Sequence, residues 1–336
     1  MSFPTVNIEL LEGFDDPRCT PEKWNALLHR GNTDAVFLTW EYQRAWWESF
    51  QRTGLLLIAA IRDGQLLAIA PFFAEEGMVY FVGSGGSDYL DFIGDTSDPT
   101  VLDLLLATAS DRVPGLKGFQ FYHVLESSRT GERLRAAAGR LGLAIAVERG
   151  MPAPFVDLAG QPEAARAAVE SKKLLQVQRT LERDGVLAVQ HLSDGVAILP
   201  HLSELMQQHI DRWAATPHPS QFLQSAQRTF LEKLTAAAAN SGWLRYTRVL
   251  WNGAPIACHY GFCYEGSYVC YKPAFDIIHS RRSPGQVLMR HLILAAMNEH
   301  AHTFDFGLGD EPYKQRFATG ARHVNNWALS PAKVNP

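Results

Sequence analysis

The chain has 336 residues, of which 46% are hydrophobic and 20% charged, a composition typical of a folded protein with a core rather than a disordered chain. This length indicates two domains. The formal net charge of −4 disfavours a protein whose main partner is nucleic acid, because such proteins usually carry a basic surplus.

Several features lead us to expect a cytoplasmic protein without a membrane span. The first residues lack the cationic segment and apolar stretch of a secretory signal. The longest apolar stretch, residues 55–73, is interrupted by R-D-G-Q and predicts two strands around an Asp-Gly turn. No metal is predicted, because the histidines lack metal-ligand spacing and the cysteines, expected to be reduced, form no C-x-x-C pair: Cys19, Cys258, Cys263 and Cys270.

The first half, residues 1–150, combines helices with a strand meander. Thr39 is a suitable N-cap for a helix over residues 40–50. Three strands joined by Asp-Gly and Glu-Gly turns follow, and a Gly-rich loop comes after them. The strands are predicted over residues 55–61, 66–73 and 78–82, with later helices over 100–110 and 131–141 and strands over 119–124 and 143–147.

The second half, residues 151–336, follows a break rich in Gly and Pro at residues 149–154. Helices are predicted over residues 162–183, 197–214, 221–239 and 283–301, a meander over 244–250, 255–262 and 267–271, a strand over 304–307, and a short helix and tail from Pro312. Both halves repeat the order helix, antiparallel meander, helix, strand. The sequence therefore predicts an α/β (α+β) protein of two related domains, each a mixed, mostly antiparallel sheet flanked by helices.

An anion-binding pattern occurs at residues 281–287, with the sequence R-R-S-P-G-Q-V between a strand and a helix. Ser283 is a suitable N-cap, Pro284 fits the first helical position, and Gly285 leaves room for a ligand. The free N–H groups and the helix dipole attract anions, so a pyrophosphate could bind there beside either preceding arginine.

The same segment has a second interpretation without a ligand. Ser283 and Gln286 have the spacing of a capping box, in which two side chains satisfy the same N–H groups.

A second pattern lies at residues 305–314, where D-x-G-x-G-D-x-x-Y-K follows a short strand. This pattern resembles the CelD-type acetyltransferases, a branch of the GNAT superfamily related to the FemABX aminoacyl transferases. Further similar segments, in matching order over residues 35–327, are S-D-Y-L-D at 87–91, P-F-V-D-L at 154–158, S-K-K at 171–173, G-x-P-I-A at 253–257 and the S-P-G motif.

The resemblance implies two tandem GNAT-like domains: residues 1–150 on the acceptor side, and residues 151–336 with an acyl-coenzyme A site. It implies transfer of an acetyl or longer acyl group from acyl-coenzyme A to an amine of a small molecule or of a glycan or envelope precursor. The cofactor-binding residues that it implies are Arg281, Arg282, Ser283, Gly285, Gln286, Val287 and Tyr271.

Catalytic roles also follow from the resemblance. The leaving thiolate needs a proton, for which Tyr313 is the candidate acid, and the oxyanion needs a backbone N–H within residues 268–271. Asp305 and Asp310 are candidates to orient the amine or accept its proton. The alternatives are a packed aromatic for Tyr313 and ordinary turn chemistry for the two aspartates.

Five further residues are candidates for acceptor binding. Lys314 would hold an acidic group or pair with Asp310, and His259 would serve as a base or as a core histidine. The other three follow the Gly-rich loop: Asp88, Tyr89 and Asp91. The alternative interpretation is a loop-to-strand junction whose acids are simply solvated.

Two other functions stay open at this point: a FemABX-type transferase that uses aminoacyl-tRNA, and a non-catalytic GNAT-like scaffold. A basic surface would favour the tRNA-dependent transferase, but the net charge of −4 does not indicate such a surface. An open helix start at residues 283–287 beside a cleft would favour coenzyme A, and a plugged cleft would favour the scaffold. The acceptor stays open among amino sugars, lipid-linked amines, amino acids and polyamines.

Overall fold

A computed structural model describes residues 5–214 and 216–332. Its strands are β1 (Asn7–Leu11), β2 (Leu55–Arg62), β3 (Gln65–Glu75), β4 (Met78–Phe81), β5 (Ile93–Gly94), β6 (Gly118–Leu125), β7 (Leu143–Asp157), β8 (Leu187–Leu192), β9 (Leu244–Trp251), β10 (Ala254–Tyr264), β11 (Ser267–Phe275), β12 (Thr303–Asp305) and β13 (Gly320–Pro331). Its α-helices are α1 (Pro21–Leu28), α2 (Trp40–Phe50), α3 (Pro99–Arg112), α4 (Thr130–Leu141), α5 (Pro162–Val169), α6 (Lys172–Asp184), α7 (Gly195–Ile198), α8 (Leu202–Trp213), α9 (Ser225–Ala237) and α10 (Pro284–Asn298). Within the described ranges, every helix is too short or too polar to cross a bilayer.

The chain divides into two compact units. Unit 1 contains the chain up to Pro152 and again from Arg322, and unit 2 is Ala153–Ala321. The prediction had placed the last segment in the second domain as a helix and tail, whereas the structure has β13, which pairs with β6 in unit 1. A register shift between Asn325 and Trp327 breaks the two-residue alternation that would have identified this strand.

Unit 1 is built on a meander of β2, β3 and β4, with β1 beside β2. β4 then pairs with β6 in parallel, after α3, and β13 follows β6. The core is aromatic: Phe72, Phe81 and Phe121 are fully buried, with ring centroids 4.5 Å apart for Phe81 and Phe121 and 5.4 Å for Phe72 and Phe121.

Unit 2 repeats this order. β9, β10 and β11 form a meander, β8 pairs with β9, and β12 pairs in parallel with β11 after α10. The end of β7 completes the sheet by pairing with β12. α10 begins at Pro284, and its buried side chains recur at helical spacing, including Val287, Leu288 and Leu292. These side chains share one core with residues of the sheet.

Four hairpin turns, two in each unit, were predicted from Asp-Gly, Glu-Gly and Asn-Gly pairs, and all four are confirmed. At Asn252-Gly253, for example, φ is 51° and 82°, and both central residues of the other three turns also have positive φ. Type I′ turns require this geometry, which suits the twist of the flanking strands. The apolar stretch at residues 55–73 is accordingly confirmed as two strands, β2 and β3.

The fold class is confirmed: each unit is a mixed sheet flanked by helices. The helix expected over residues 162–183 is instead divided into α5 and α6 at Ser171. The helices expected over 197–214 and 221–239 each begin with a separate short turn. The break expected at 149–154 lies inside β7, where a Cβ on Gly150 would be 2.8 Å from Val324, so glycine here permits close strand packing.

Because the core of unit 1 is aromatic, truncating one of its rings should destabilise the unit. Phe72→Ala should lower the free energy of unfolding of unit 1 by about 3–5 kcal/mol, because it removes a fully buried ring and leaves a cavity. Val147→Ala is the control, since Val147 is 47% exposed and its truncation should cost less than about 0.5 kcal/mol. Denaturant unfolding measures both, and equal costs would contradict the assignment of the core.

Candidate functional site

A pocket of about 310 Å³ opens in unit 2 beside the end of β11, the start of α10 and the segment after β12. Three kinds of side chain line it. The small and polar ones are Ser171, Ser280, Ser283, Gly285 and Gln286; the apolar and aromatic ones include Leu174, Phe275, Leu288, Met289, Tyr313 and Phe317; the cationic ones are Lys173, Arg212 and Arg316. Its lining residues, all in the described part of the chain, include no Asp, Glu or His.

The start of α10 forms one wall of this pocket. Ser283 occupies the N-cap position with a left-handed backbone (φ 53°), and its side chain makes no capping hydrogen bond. The capping box, the alternative interpretation of this segment, is therefore not formed, and among the described residues no side chain caps this end. The N–H groups of Ser283 and Gln286 donate to the carbonyl oxygens of Ser280 and Ser283, both at 3.0 Å, and Pro284 has no N–H. At the start of α10 this leaves the N–H of Gly285, a residue that lines the pocket, without a hydrogen-bond partner among the described residues.

Gly285 fits a close approach between this helix and β11. A Cβ there would lie 3.3 Å from the Cδ1 atom of Phe275, so the glycine allows the aromatic ring to pack against the first turn. A large side chain at this position would displace the ring or enter the pocket.

Of the other predicted cofactor residues, only one lines the pocket. Arg281 is exposed beside the pocket. Arg282 pairs with Asp184 at 2.7 Å, its guanidinium lies 4.6 Å from the Trp251 ring centroid, and the hydrogen bond lowers the pKa of Asp184. Of the remaining candidates, Gln286 lines the pocket, whereas Val287 and Tyr271 are buried and do not line it: their side chains belong to the interior of unit 2.

β11 extends beyond its parallel partner and reaches the pocket. It pairs with β12 from Ser267 to Val269, where β12 ends, and then continues to Phe275 in the pocket lining. At the start of this extension β11 bulges, because Cys270 and Tyr271 lie opposite the single residue Gly261 of β10. A Cβ on Gly261 would be 2.2 Å from the Val269 carbonyl oxygen, so this bulge requires glycine.

Tyr313 lines the pocket, half-buried, and its ring lies 6.4 Å from that of Phe306. Burial raises the pKa of Tyr313 above its ordinary value, so the phenol stays protonated at neutral pH. The residue is therefore both a packed aromatic and a pocket-lining proton donor.

The structure does not bring the predicted acids to the pocket. Asp305 is buried and accepts a hydrogen bond from the Gly307 N–H at 2.8 Å, and Asp310 is exposed. A pair between Lys314 and Asp310 was one of the predicted alternatives, but Lys314 pairs with Glu311 instead, at 2.8 Å. It also donates a hydrogen bond to the Leu308 carbonyl oxygen. These residues build the turn that leads to Tyr313.

His259 is a core residue. Its side chain is fully buried on β10, away from the pocket lining, and burial lowers its pKa to about 3. The ring is consequently neutral at physiological pH and unsuited to bind an acidic acceptor.

The three acceptor-binding candidates in unit 1 are buried or half-buried. Asp91 is fully buried and accepts hydrogen bonds from the Thr33 hydroxyl at 2.7 Å, the Thr130 hydroxyl at 2.8 Å and the Phe92 N–H at 2.8 Å. Tyr89 is also buried, and Asp88 is half-buried. The acceptor-binding prediction is wrong for Asp91, since internal hydrogen bonds hold a carboxylate that has no exposed surface.

Sequence reasoning missed Arg212 and Phe275. Arg212 lies near the end of α8, and its guanidinium is 4.7 Å from the Phe275 ring centroid at the end of β11. No local motif announces either residue, because only tertiary packing brings α8 and β11 together. In the sequence, an arginine in the last turn of an amphipathic helix is indistinguishable from an ordinary solvent-exposed arginine.

The role of Asp91 predicts a stability effect. Asp91→Ala should lower the free energy of unfolding of unit 1 by about 2–4 kcal/mol, because it leaves two buried hydroxyls and one N–H without their acceptor. Asp111→Ala, at an exposed position of the same unit, should change it by less than about 0.5 kcal/mol. A stable Asp91→Ala protein would show that the carboxylate is not structural.

A comparison with protein families finds one match in the second half of the chain. Residues 168–315 match a family model described as an acetyltransferase (GNAT) domain. A comparison with curated protein sequences finds no significant match.

Solved structures with similar folds cover almost the whole chain. The crystal structure of FemX aligns with a TM-score of 0.62 at 12% identity, covering 92% of this chain and 95% of FemX. L-PGS from Bacillus licheniformis has a TM-score of 0.58 at 15% identity, with 94% of each chain covered. A tandem GNAT protein from the clavulanic acid biosynthesis pathway has a TM-score of 0.52 at 11% identity, covering 98% of this chain and 100% of that one. At these identities the likeness is one of fold.

Proposed function

We propose that unit 2 is an acyl-coenzyme A-dependent N-acyltransferase, because residues 168–315 match the model of an acetyltransferase (GNAT) domain. The acceptor is an amine of a small molecule or of a glycan or envelope precursor. One observation carries the proposal: the start of α10, which no side chain caps and where Ser283 has a left-handed backbone, forms a wall of the pocket beside the end of β11.

This wall suits a pyrophosphate. The unpartnered N–H of Gly285 and the helix dipole attract anions, and Ser283 and Gly285 leave the approach open. The surrounding charge has the right sign, since Lys173 and Arg316 line the pocket, Arg281 is exposed nearby, and no acid lines it. Apolar side chains, among them Leu288 and Met289, complete a lining for the thioester arm. The cleft is open rather than plugged, which argues against the scaffold function.

The corresponding helix of unit 1 has the opposite chemistry. α3 also follows a three-strand meander and precedes a parallel strand, but Asp98 caps it by accepting a hydrogen bond from the Thr100 N–H at 2.9 Å. Arg62 bonds the same carboxylate and lowers its pKa, so Asp98 is ionised. A carboxylate that already occupies the first turn repels a phosphate, and unit 1 is therefore not a second coenzyme A site.

The residues of unit 2 divide the chemistry between them. When bound, acyl-coenzyme A supplies the activated acyl group. Tyr313 lines the pocket and is the proposed proton donor to the leaving sulfur; burial raises its pKa, so the phenol stays protonated. The proposed oxyanion donor is a backbone N–H of β11 near its bulge at Cys270–Tyr271, where the regular pairing with β10 is interrupted. Since the lining contains no carboxylate or imidazole, the amine loses its proton to water rather than to Asp305 or Asp310.

The charge of the lining also limits which class of amine can be the acceptor. A polyamine would bring several positive charges beside Lys173, Arg212 and Arg316, which like-charge repulsion disfavours. Amino acids and amino sugars stay compatible with this site. The tRNA-dependent alternative shares the fold of FemX, and it becomes the leading function if acyl-coenzyme A does not bind.

Ser283 gives a matched pair of variants for the cofactor site. Ser283→Asp places a carboxylate at the helix start and should weaken acetyl-coenzyme A binding about 10-fold or more by charge repulsion. Ser283→Asn, which tolerates the left-handed backbone and has no charge, should weaken it less than about 3-fold. Calorimetric titration measures both. Equal affinities in wild type and Ser283→Asp would move the cofactor away from α10.

Tyr313→Phe tests the proton donor. Removal of the hydroxyl should lower kcat about 100-fold while the affinity for acyl-coenzyme A stays within about 3-fold. Tyr122→Phe, a control in unit 1 and outside the lining, should leave kcat within about 3-fold. Because burial raises the pKa of Tyr313, wild-type kcat should not fall as the pH rises to about 10, the ordinary tyrosine value. An active Tyr313→Phe would remove Tyr313 from the mechanism.

A further inference from the structure

Arg212 is a half-buried cation in the wall of the pocket. Its guanidinium lies 4.7 Å from the Phe275 ring centroid and 5.6 Å from that of Trp213. Its one hydrogen bond is long: Nη1 donates to the Pro273 carbonyl oxygen at 3.4 Å. A guanidinium carries five N–H donors, so most of its capacity is unused by the described residues.

The charge of Arg212 has no counter-ion among the residues that the structure describes. The groups that face it electrostatically are Tyr313, Glu311 and Cys270. The first and third are neutral when protonated, and Glu311 is already paired with Lys314 at 2.8 Å. Burial lowers the pKa of Arg212, which is the mark of a charge partly removed from water. A cation in this position is stabilised by an anion that enters the pocket.

Phe275 separates this cation from the start of α10. The ring lies against the guanidinium at 4.7 Å, and its Cδ1 edge lies 3.3 Å from where a Cβ of Gly285 would stand. The pocket therefore has two anion-attracting positions on different elements, one at the helix start and one at the end of α8. The pyrophosphate of one cofactor would occupy the first position, which leaves the second for another anionic group.

We propose that Arg212 binds an anionic group, a carboxylate or a phosphate, carried by the amine acceptor. The planar fork of a guanidinium matches two oxygens of either group, and the flanking aromatic rings of Phe275 and Trp213 hold its plane. This inference rests on the proposed function and adds the acceptor class to it: an amino acid or a phosphorylated amine rather than a neutral amine or a polyamine. Arg212 lies in the same lining as Tyr313, so the anion anchors the acceptor beside the proposed proton donor.

The test uses the full chain and two simple probes, inorganic phosphate and succinate, in calorimetric titrations. Wild type should bind at least one probe, Arg212→Gln should bind it about 10-fold more weakly or not at all, and Arg212→Lys should retain part of the affinity. Lys172→Gln, which removes an exposed charge outside the lining, is the control for general charge and should stay within about 3-fold of wild type. Equal affinities in wild type and Arg212→Gln would overturn the proposal, as would an equal loss in Lys172→Gln. Arg212→Lys, which keeps the charge, answers the question if Arg212→Gln does not fold.

Acyl-coenzyme A titrations of the same variants identify the source of the anion. Acetyl-coenzyme A should bind Arg212→Gln within about 3-fold of wild type; a 10-fold loss would assign Arg212 to the cofactor phosphates and overturn the proposal. A preference of wild type for succinyl- over acetyl-coenzyme A that Arg212→Gln abolishes would place the anion on the acyl chain and also overturn it. If wild type binds the simple anions through Arg212 but binds no acyl-coenzyme A, the donor proposal fails and the anion site stands.

Discussion

The account depends on one backbone feature, the left-handed conformation of Ser283. With φ at 53° there, the chain enters α10 without a side-chain cap, and the N–H of Gly285 keeps no partner among the described residues. The neighbouring elements preserve this opening. Gly285 lets Phe275 pack at the helix start, and β11 continues past the end of β12. Three cations line the pocket beside this helix end, and its lining holds no acid.

The two units show how one order of elements supports different chemistry. Each has a three-strand meander, a helix and a parallel strand, yet the two helices start differently: Asp98 caps α3, and no side chain caps α10. Under the proposed function, this single carboxylate is the difference between a helix start that excludes a phosphate and one that accepts it. In unit 1, Asp91 is likewise committed to internal hydrogen bonds, so the acids of that unit support its fold.

Local signals predicted most of the fold. The Asp-Gly and Asn-Gly pairs fixed the hairpins because only a few residues tolerate positive φ, and helical spacing identified α10. The sequence could not reveal β13, whose register shift breaks the alternation, or the burial of Asp91. Within the site, the motif around Ser283 and the tyrosine at 313 were accessible to sequence reasoning. Arg212 was not, since nothing along α8 indicates that its guanidinium meets Phe275.

Hydrogen exchange with and without acetyl-coenzyme A tests the central claim most directly, because it reports on both helix starts in one experiment. Exchange should slow in peptides that cover residues 273–289 and stay unchanged over residues 98–105, since the N–H of Gly285 has no partner among the described residues, whereas Asp98 accepts from the N–H of Thr100. Unchanged exchange at 273–289, or protection at the start of α3 instead, would contradict the assignment of the acyl-coenzyme A site to unit 2.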